Sequence, residues 1–293
     1  MKHGFSDYHP AVNFTYFTLV ILCAMFFMNP ACLTISAVCS FAYAARLNGG
    51  KKAWLYLLYM LPLLAAAALL NPAFNHEGAT ILAYLPGGNP LTLESILYGA
   101  AAALMMGTVI LWFSCYHAVM TSDKFIYLFG RVIPGLSLIL SMTLRFVPRF
   151  REQLKVISNS QKCVGRDASS GGVIRRAKNG LTILSIMITW SLENAVDTAD
   201  SMKSRGYGLP GRTAFSIFRM DSRDQRALAA IGALGLYTLA GGGAGAFYYR
   251  YFPSVRGAAA TPYVMSVFCA YLLLCLMPLI IEFWEDRRWK AIR

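Results

Sequence analysis

A chain of 293 residues is long enough for one large domain or two ordinary ones, but 57% of it is hydrophobic, only 14% is charged, and the mean hydropathy is +0.49. Soluble domains carry roughly 25% charged residues, so most of this surface cannot face water. Disordered, collagenous, coiled-coil and disulfide-stapled secreted chains are excluded with the ordinary soluble domain. Lys and Arg outnumber Asp and Glu by 27 to 14, a net charge of +13. The fold class that remains is an all-α polytopic membrane protein.

In chain order, apolar runs occupy about 11–28, 31–45, 53–70, 95–119, 227–249 and 262–283. A crossing needs roughly 17–25 apolar residues. The second run is short, so 11–45 reads as a tilted or shallow hairpin turning at Asn29-Pro30. Met1–Pro10 is polar and no small-residue cleavage site follows the first run, which argues against a cleaved signal peptide. The punctuation at Asn71-Pro72 and Pro86-Gly87-Gly88-Asn89-Pro90 is ordinary turn chemistry. Ala65–Ala68, Ala100–Ala103 and the pair Gly241 and Gly245 have the small-residue spacing of close helix contacts, within the chain or to a second membrane protein.

Loops rich in Lys and Arg stay in the cytoplasm. Arg46, Lys51 and Lys52 place one loop inside, the Asn71–Glu94 loop has neither residue and belongs outside, and the tail with Arg287, Arg288, Lys290 and Arg293 is inside. About six crossings with both termini cytoplasmic satisfy these loops, and the discordant one is 250–261, which carries Arg250 and Arg256. The expected organisation is an N-terminal membrane part (1–120), a cytoplasmic coupling region (121–225), and C-terminal membrane helices with a cytoplasmic tail (226–293).

Between Arg145 and Arg226 lie 15 of the 27 basic residues and 7 of the 14 acidic ones. This insert reads as two helices. Pro148 suits a first helical turn, predicting a helix from about 149 to Cys163 that ends near Gly165. Its apolar face is Phe150, Leu154, Ile157, Gln161 and Val164. Asp167 to Gly172 is a loop. A second helix starts near Val173, carries Ile188, Leu192, Ala195, Ala199 and Met202 on one stripe, and ends at Gly206 and Gly208, residues that tolerate positive φ. Lys203 and Arg205 fall in its last turn, where cations interact favourably with the helix dipole.

The order T-L-R-F-V-P-R-F (143–150), S-Q-K-C-V-G-R (160–166) and A-D-S-M-K-S-R-G-Y-G (199–208) resembles the transmembrane T component of energy-coupling factor (ECF) transporters. These are ABC-class importers of vitamins and metal ions, related to cobalt and nickel permease subunits. The resemblance implies two coupling helices, each ending in an Ala-Arg-Gly-like motif whose arginine enters a groove on one of two cytosolic ATPases. It also implies a small membrane-embedded substrate-binding protein, the S component. The second motif maps onto Ser204-Arg205-Gly206. In the first, Gln161 and Gly165 align but the arginine position holds Val164, so either Arg166 or Lys162 replaces it. The face expected to pack and to dock an S component is Phe146, Pro148, Ile157, Ile188, Leu192, Ala195, Ala199 and Met202.

No G-x-x-x-x-G-K-[ST] occurs, so ATP and Mg²⁺ are expected in partner subunits and this chain needs no cofactor, metal or catalytic residue of its own. The apolar runs hold almost no ionisable groups apart from Glu94 and Glu282 near their ends, unlike proton-coupled carriers. His3, His9, His76 and His117 are scattered singly. Asn194, Asp197 and Asp200, with Asp221 and Asp224, faintly resemble the Mg²⁺ sites of membrane prenyltransferases. That enzyme, and a permease binding its own substrate, are the alternatives. The basic residues adjoin membrane segments and follow the positive-inside pattern, which accounts for them without nucleic acid; attraction to anionic lipid adds to it. Of seven cysteines, all but Cys163 sit in apolar runs and read as small buried hydrophobes.

Overall fold

The computed structural model describes residues 4–84, 90–130, 134–167, 169, 171–210, 218–259 and 261–292. The Pro86–Asn89 turn and His3 lie outside the described residues. The chain forms two units: Met1–Phe125 with Phe218–Arg293, and the intervening Ile126–Ile217. The two terminal membrane parts thus fold together as one body.

That body is a helical bundle. A short 3-10 turn, Phe5–Asp7, leads into α1 (Pro10–Phe26), α2 (Pro30–Asn48) and α3 (Gly50–Phe74), followed by a β1–β2 hairpin (Ile81–Tyr84, Pro90–Thr92) and α4 (Leu93–Val119). The start of α5 (Ser122–Gly130) follows. After the insert come α8 (Ser222–Gly243), the two-residue pair β3–β4 (Tyr249–Arg250, Arg256–Gly257) and α9 (Pro262–Ile292). The α1/α2 turn is punctuated as expected: Asn29 Oδ1 accepts from Ala31 N–H at 3.0 Å, with Pro30 as the first helical residue.

Among the described residues, four helices are long and apolar enough to cross a membrane: α2, α3 from Ala53, α4, and α9. Helix α1 is apolar but only 17 residues long, and α8 opens with charged residues, Arg223, Asp224 and Arg226, in its first two turns. Helix α4 packs against α1, α2 and α3, while α9 packs against α2 and α8. The core is aromatic: Phe5, Tyr16, Phe17, Tyr43 and Trp112 are fully buried, with Tyr16 edge-on to Trp112 at 6.1 Å. Two polar tips find partners, Trp112 Nε1–H on Ser36 Oγ at 2.8 Å and Tyr16 O–H on the Cys275 carbonyl at 3.2 Å, while Tyr43 O–H meets none among the described residues.

The bundle has two distinct ends. At one, Ala79 N–H donates to Pro253 O (3.0 Å), Tyr98 packs on Tyr251, and Tyr251 O–H donates to Met28 O (2.8 Å). The discordant loop with Arg250 and Arg256 therefore sits beside the Lys- and Arg-free loop, as alternating crossings require. At the other, Arg46 meets Glu282 and Asp286, Arg223 meets Glu285 at 3.2 Å, and Lys124 Nζ donates to Ser6 O and Val119 O.

Small residues make close contacts inside the chain. A Cβ on Gly99 would lie 2.4 Å from the Ala68 carbonyl oxygen, and one on Gly241 would lie 2.6 Å from Val267. Gly245 corrects the expected pair: it lies past the end of α8 at φ +86, where it terminates the helix. Among the cysteines, Cys269 as well as Cys163 is exposed, since its side of α9 is an outer face of the bundle.

The insert unit consists of the rest of α5, then α6 (Pro134–Cys163) and α7 (Val173–Ser204). Helix α7 starts where expected. Helix α6 does not: it begins at Pro134 rather than at 149, and Pro148 lies inside it. A proline interrupts one hydrogen bond and strains the turn before it, but the helix formers on both sides carry the helix through.

Candidate functional site: a helical hairpin with two matching ends

Helices α6 and α7 run antiparallel. The Phe150 ring meets Trp190 edge-on at 5.5 Å, Arg149 lies 5.6 Å from the Trp190 ring, and Asn179 Nδ2–H donates to the Asp167 carbonyl at 2.9 Å. Ile157, Ile183 and Asn179 are the buried residues of this hairpin among those described. Apolar residues on the inner stripe of each helix fold the pair, and the Asn179 bond secures the connecting loop.

Both helices end in the same hydrogen-bonded cap. In α6, Gly165 at φ +76 lets Gly165 N–H reach Lys162 O (3.0 Å) and Arg166 N–H reach Gln161 O (2.9 Å). In α7, Gly206 at φ +78 does the same, with Gly206 N–H on Lys203 O (2.9 Å) and Tyr207 N–H on Met202 O (3.0 Å). This paired six-to-one and five-to-two pattern is the Schellman motif, whose glycine occupies a backbone conformation other residues adopt at a cost. Superposing the caps equates Lys162 with Lys203, Cys163 with Ser204, Val164 with Arg205, Gly165 with Gly206 and Arg166 with Tyr207. The first end carries its arginine just after the glycine and the second carries it just before.

The cations are presented outward. Lys162, Arg166, Ser204 and Arg205 are exposed, and Ser204 Oγ–H caps Ser201 O at 2.9 Å. Lys162 lies 3.8 Å from the Asp167 carboxylate. The Ser169 hydroxyl and amide N–H, with Lys162 adding its charge, hold the Asp167 carboxyl below its usual range. Part of the Lys162 charge is therefore engaged within its own loop. Arg166 is the more available cation at the first end.

The expected docking residues divide by exposure. Ile188, Leu192, Ala195 and Ala199 stand exposed along one side of α7, joined there by Leu181, Leu184 and Val196. Pro148 is exposed, and Phe146 is half-buried and stacked on Phe150 at 6.0 Å. Ile157 is inside the hairpin, so it packs α6 on α7 rather than offering a surface. Met202 is half-buried beneath the second cap. Trp190 was not singled out from the sequence, although its spacing from Ile183 and Met187 puts it on the buried stripe. Of the prenyltransferase-like residues, Asn194, Asp197 and Asp200 belong to α7 of the insert, while Asp221 and Asp224 of the bundle form a reciprocal capping box opening α8.

Residues 6–215 match the family described as CbiQ, cobalt transport protein. Among curated relatives, the chain is 38% identical over 98 residues to the energy-coupling factor transporter transmembrane protein EcfT of Lactobacillus helveticus, covering 33% of this chain and 35% of that one. It is 38% identical over 90 residues to the protein of that name from Lactococcus lactis, covering 30% and 34%. The match to that of Thermosediminibacter oceani is 31% identical over 162 residues, covering 52% of this chain and 61% of the relative. These alignments span about a third of the first two relatives and less than two thirds of the third. The family match, by contrast, runs from the first turn of the bundle through both helix ends of the insert, and the chain belongs to the CbiQ cobalt transport protein family.

Proposed function

We propose that this chain is the transmembrane energy-coupling subunit of an ECF-type ABC importer for a vitamin or a transition-metal ion. It scaffolds two cytosolic ATPases, which hold the ATP and Mg²⁺, and a membrane-embedded S component, which holds the substrate. The supporting observation is the pair of matching caps, each presenting a cation beside a glycine at the end of a helix of 30 or 32 residues. An arginine has five donors in a fixed fork and keeps its charge at any working pH. At a rigid helix tip it suits a groove lined with carbonyls or carboxylates, and motion of that groove is transmitted along the helix. The exposed stripe from Leu181 to Ala199 is then the face that meets the S component. The bundle end bearing Arg46 and the basic tail faces the cytoplasm, in keeping with the positive-inside rule.

The test is co-purification from native membranes in mild detergent. Wild type brings down two ATPase subunits, and Arg205→Glu loses one or both, since reversing a buried interface charge costs about 2–5 kcal/mol. Arg166→Glu is expected to exceed Lys162→Glu in effect. Wild type that retains no ATPase overturns the assignment.

A further inference from the structure

An open groove of about 800 Å³ lies wholly within the bundle, between the 3-10 turn, the start of α8 and the last turns of α9. Its rim is cationic, with Arg223, Arg226 and Arg288. Arg223 is occupied, being 3.2 Å from Glu285 and 4.3 Å from the Tyr8 ring. The other acid lining the groove, Asp7, lies in the field of buried Lys124. Arg226 gives only its Nε–H, to Ser222 O at 3.2 Å, and Arg288 lies over the Trp284 ring at 5.4 Å. Among the described residues neither of these two arginines meets a carboxylate at ion-pair distance.

The opposite wall is apolar, formed by Met277, Ile280 and Ile281 on α9 and Ala227 on α8. From Met277 to Arg288 is about 16 Å along the helix axis, close to the roughly 15 Å of one leaflet's hydrocarbon. Trp284, 61% exposed, stands between the two levels, as interfacial tryptophans do. A soluble anion matches only the rim of this groove and an apolar ligand only its wall. A molecule with a phosphate at one end and an alkyl chain of leaflet depth matches both.

We propose that this groove binds one anionic glycerophospholipid of the surrounding leaflet, its phosphate on Arg226 and Arg288 and an acyl chain along Met277, Ile280 and Ile281. Basic pockets between membrane helices on the cytoplasmic side are suited to such headgroups. Arg223 and Glu285 set the rim, and the bound lipid ties the start of α8 to the end of α9. The site requires only that the bundle sit in a membrane, so it stands or falls separately from the coupling role.

The full-length chain in detergent is titrated with dioleoylphosphatidylglycerol, with dioleoylphosphatidylcholine, and with inorganic phosphate, and its unfolding midpoint is followed. Phosphatidylglycerol is expected to raise the midpoint by about 5 °C near saturation, and the other two by much less. Arg226→Gln with Arg288→Gln should lose at least half of that shift. Arg287→Gln with Lys290→Gln removes the same charge from the other side of α9, where both residues line a separate groove, and should keep it. Native mass spectrometry should show one lipid fewer on the first double variant. If that variant does not fold, Arg226→Gln and Arg288→Gln are read singly, each losing part of the shift. Equal loss in the control pair would mean general surface charge, equal response to phosphatidylcholine would mean no headgroup recognition, and equal response to phosphate would mean a free-anion site. Any of the three overturns the proposal.

Discussion

The bundle and the hairpin are both helical and both expose apolar side chains, but for different reasons. In the bundle, exposed residues such as Leu58, Leu61 and Leu69 of α3 cover a helix with no charge beyond its first turn, which suits lipid. In the hairpin, Leu192, 64% exposed, stands next to Glu193, and Val196 next to Asp197. Acids one residue away cannot accompany that stripe into hydrocarbon without large cost. An apolar stripe interleaved with charge suits a protein partner better than it suits hydrocarbon. The bundle derives its stability from a buried aromatic core, whereas the hairpin buries only Ile157, Asn179 and Ile183 among its described residues.

The sharpest way to break this contrast is to exchange the two kinds of damage. Trp112→Ala removes a fully buried indole and the bond to Ser36, and should cost about 3–5 kcal/mol, seen as a large drop in the detergent unfolding midpoint. Leu192→Asp should shift that midpoint by no more than about 0.5 kcal/mol's worth while abolishing assembly with membrane partners. If Leu192→Asp unfolds the chain as Trp112→Ala does, the stripe is covered by the chain itself.

A second feature lies in the bundle, where the chain leaves for the insert and returns from it. Lys124 stands just before the insert, and Arg223 and Asp224 stand just after it. The N-terminal turn touches both. Lys124 Nζ donates to Ser6 O and, with the Asn13 amide turned to satisfy both its ends, to Asn13 Oδ1 at 3.0 Å. On the far side His9 N–H donates to Asp224 Oδ1 at 3.4 Å. Burial lowers the affinity of the Lys124 amine for its proton, against the pull of Asp7. Lys124→Met leaves these oxygens without a donor and should cost about 1–3 kcal/mol, with faster hydrogen exchange concentrated in Phe5–Tyr8.

Much of this was legible from residues alone, and what was not has identifiable causes. Hydrophobic runs located the helices because a bilayer imposes length and apolarity together. The second cap was legible because Lys203-Ser204-Arg205-Gly206 follows an unbroken stripe. The start of α6 was missed because a proline was read as a helix start when its neighbours override it. Ile157 was placed on a surface because periodicity finds an apolar face without saying what covers it. Val164 was already placed at the arginine position by the motifs, and the backbone hydrogen bonds of the two caps give it the same register as Arg205. Lys124 gave no signal, since Ser6 and Asn13, which it binds, are distant in sequence.

The two caps can be tested against each other. Each glycine has positive φ, but a Cβ on Gly165 would meet nothing within 4 Å, whereas one on Gly206 would come 3.2 Å from Leu209 Cδ1. Gly165→Ala should therefore cost only the conformational penalty of about 1–2 kcal/mol, and Gly206→Ala that penalty plus a displaced leucine. The difference between the variants in hydrogen exchange at Arg166 N–H and Tyr207 N–H measures how much tighter the second end is built. Equal protection loss would show that the leucine gives way freely.

The smallest expected effect concerns acid. His9 caps α1, its Nδ1 accepting from Ala11 N–H at 3.2 Å, which requires that nitrogen to carry no proton. Burial holds the imidazole below 6.5, with the Asp224 carboxylate pulling the other way. The unfolded chain therefore binds this proton more readily than the folded one. The cap's contribution is complete above 6.5 and is lost as the pH falls through the lower folded value. Asparagine keeps a capping oxygen but does not titrate. Wild type should lose up to about 1 kcal/mol more than His9→Asn between about pH 7.5 and pH 5. Parallel midpoints across that range would mean that the carboxylate, and not burial, governs the N-terminal clasp.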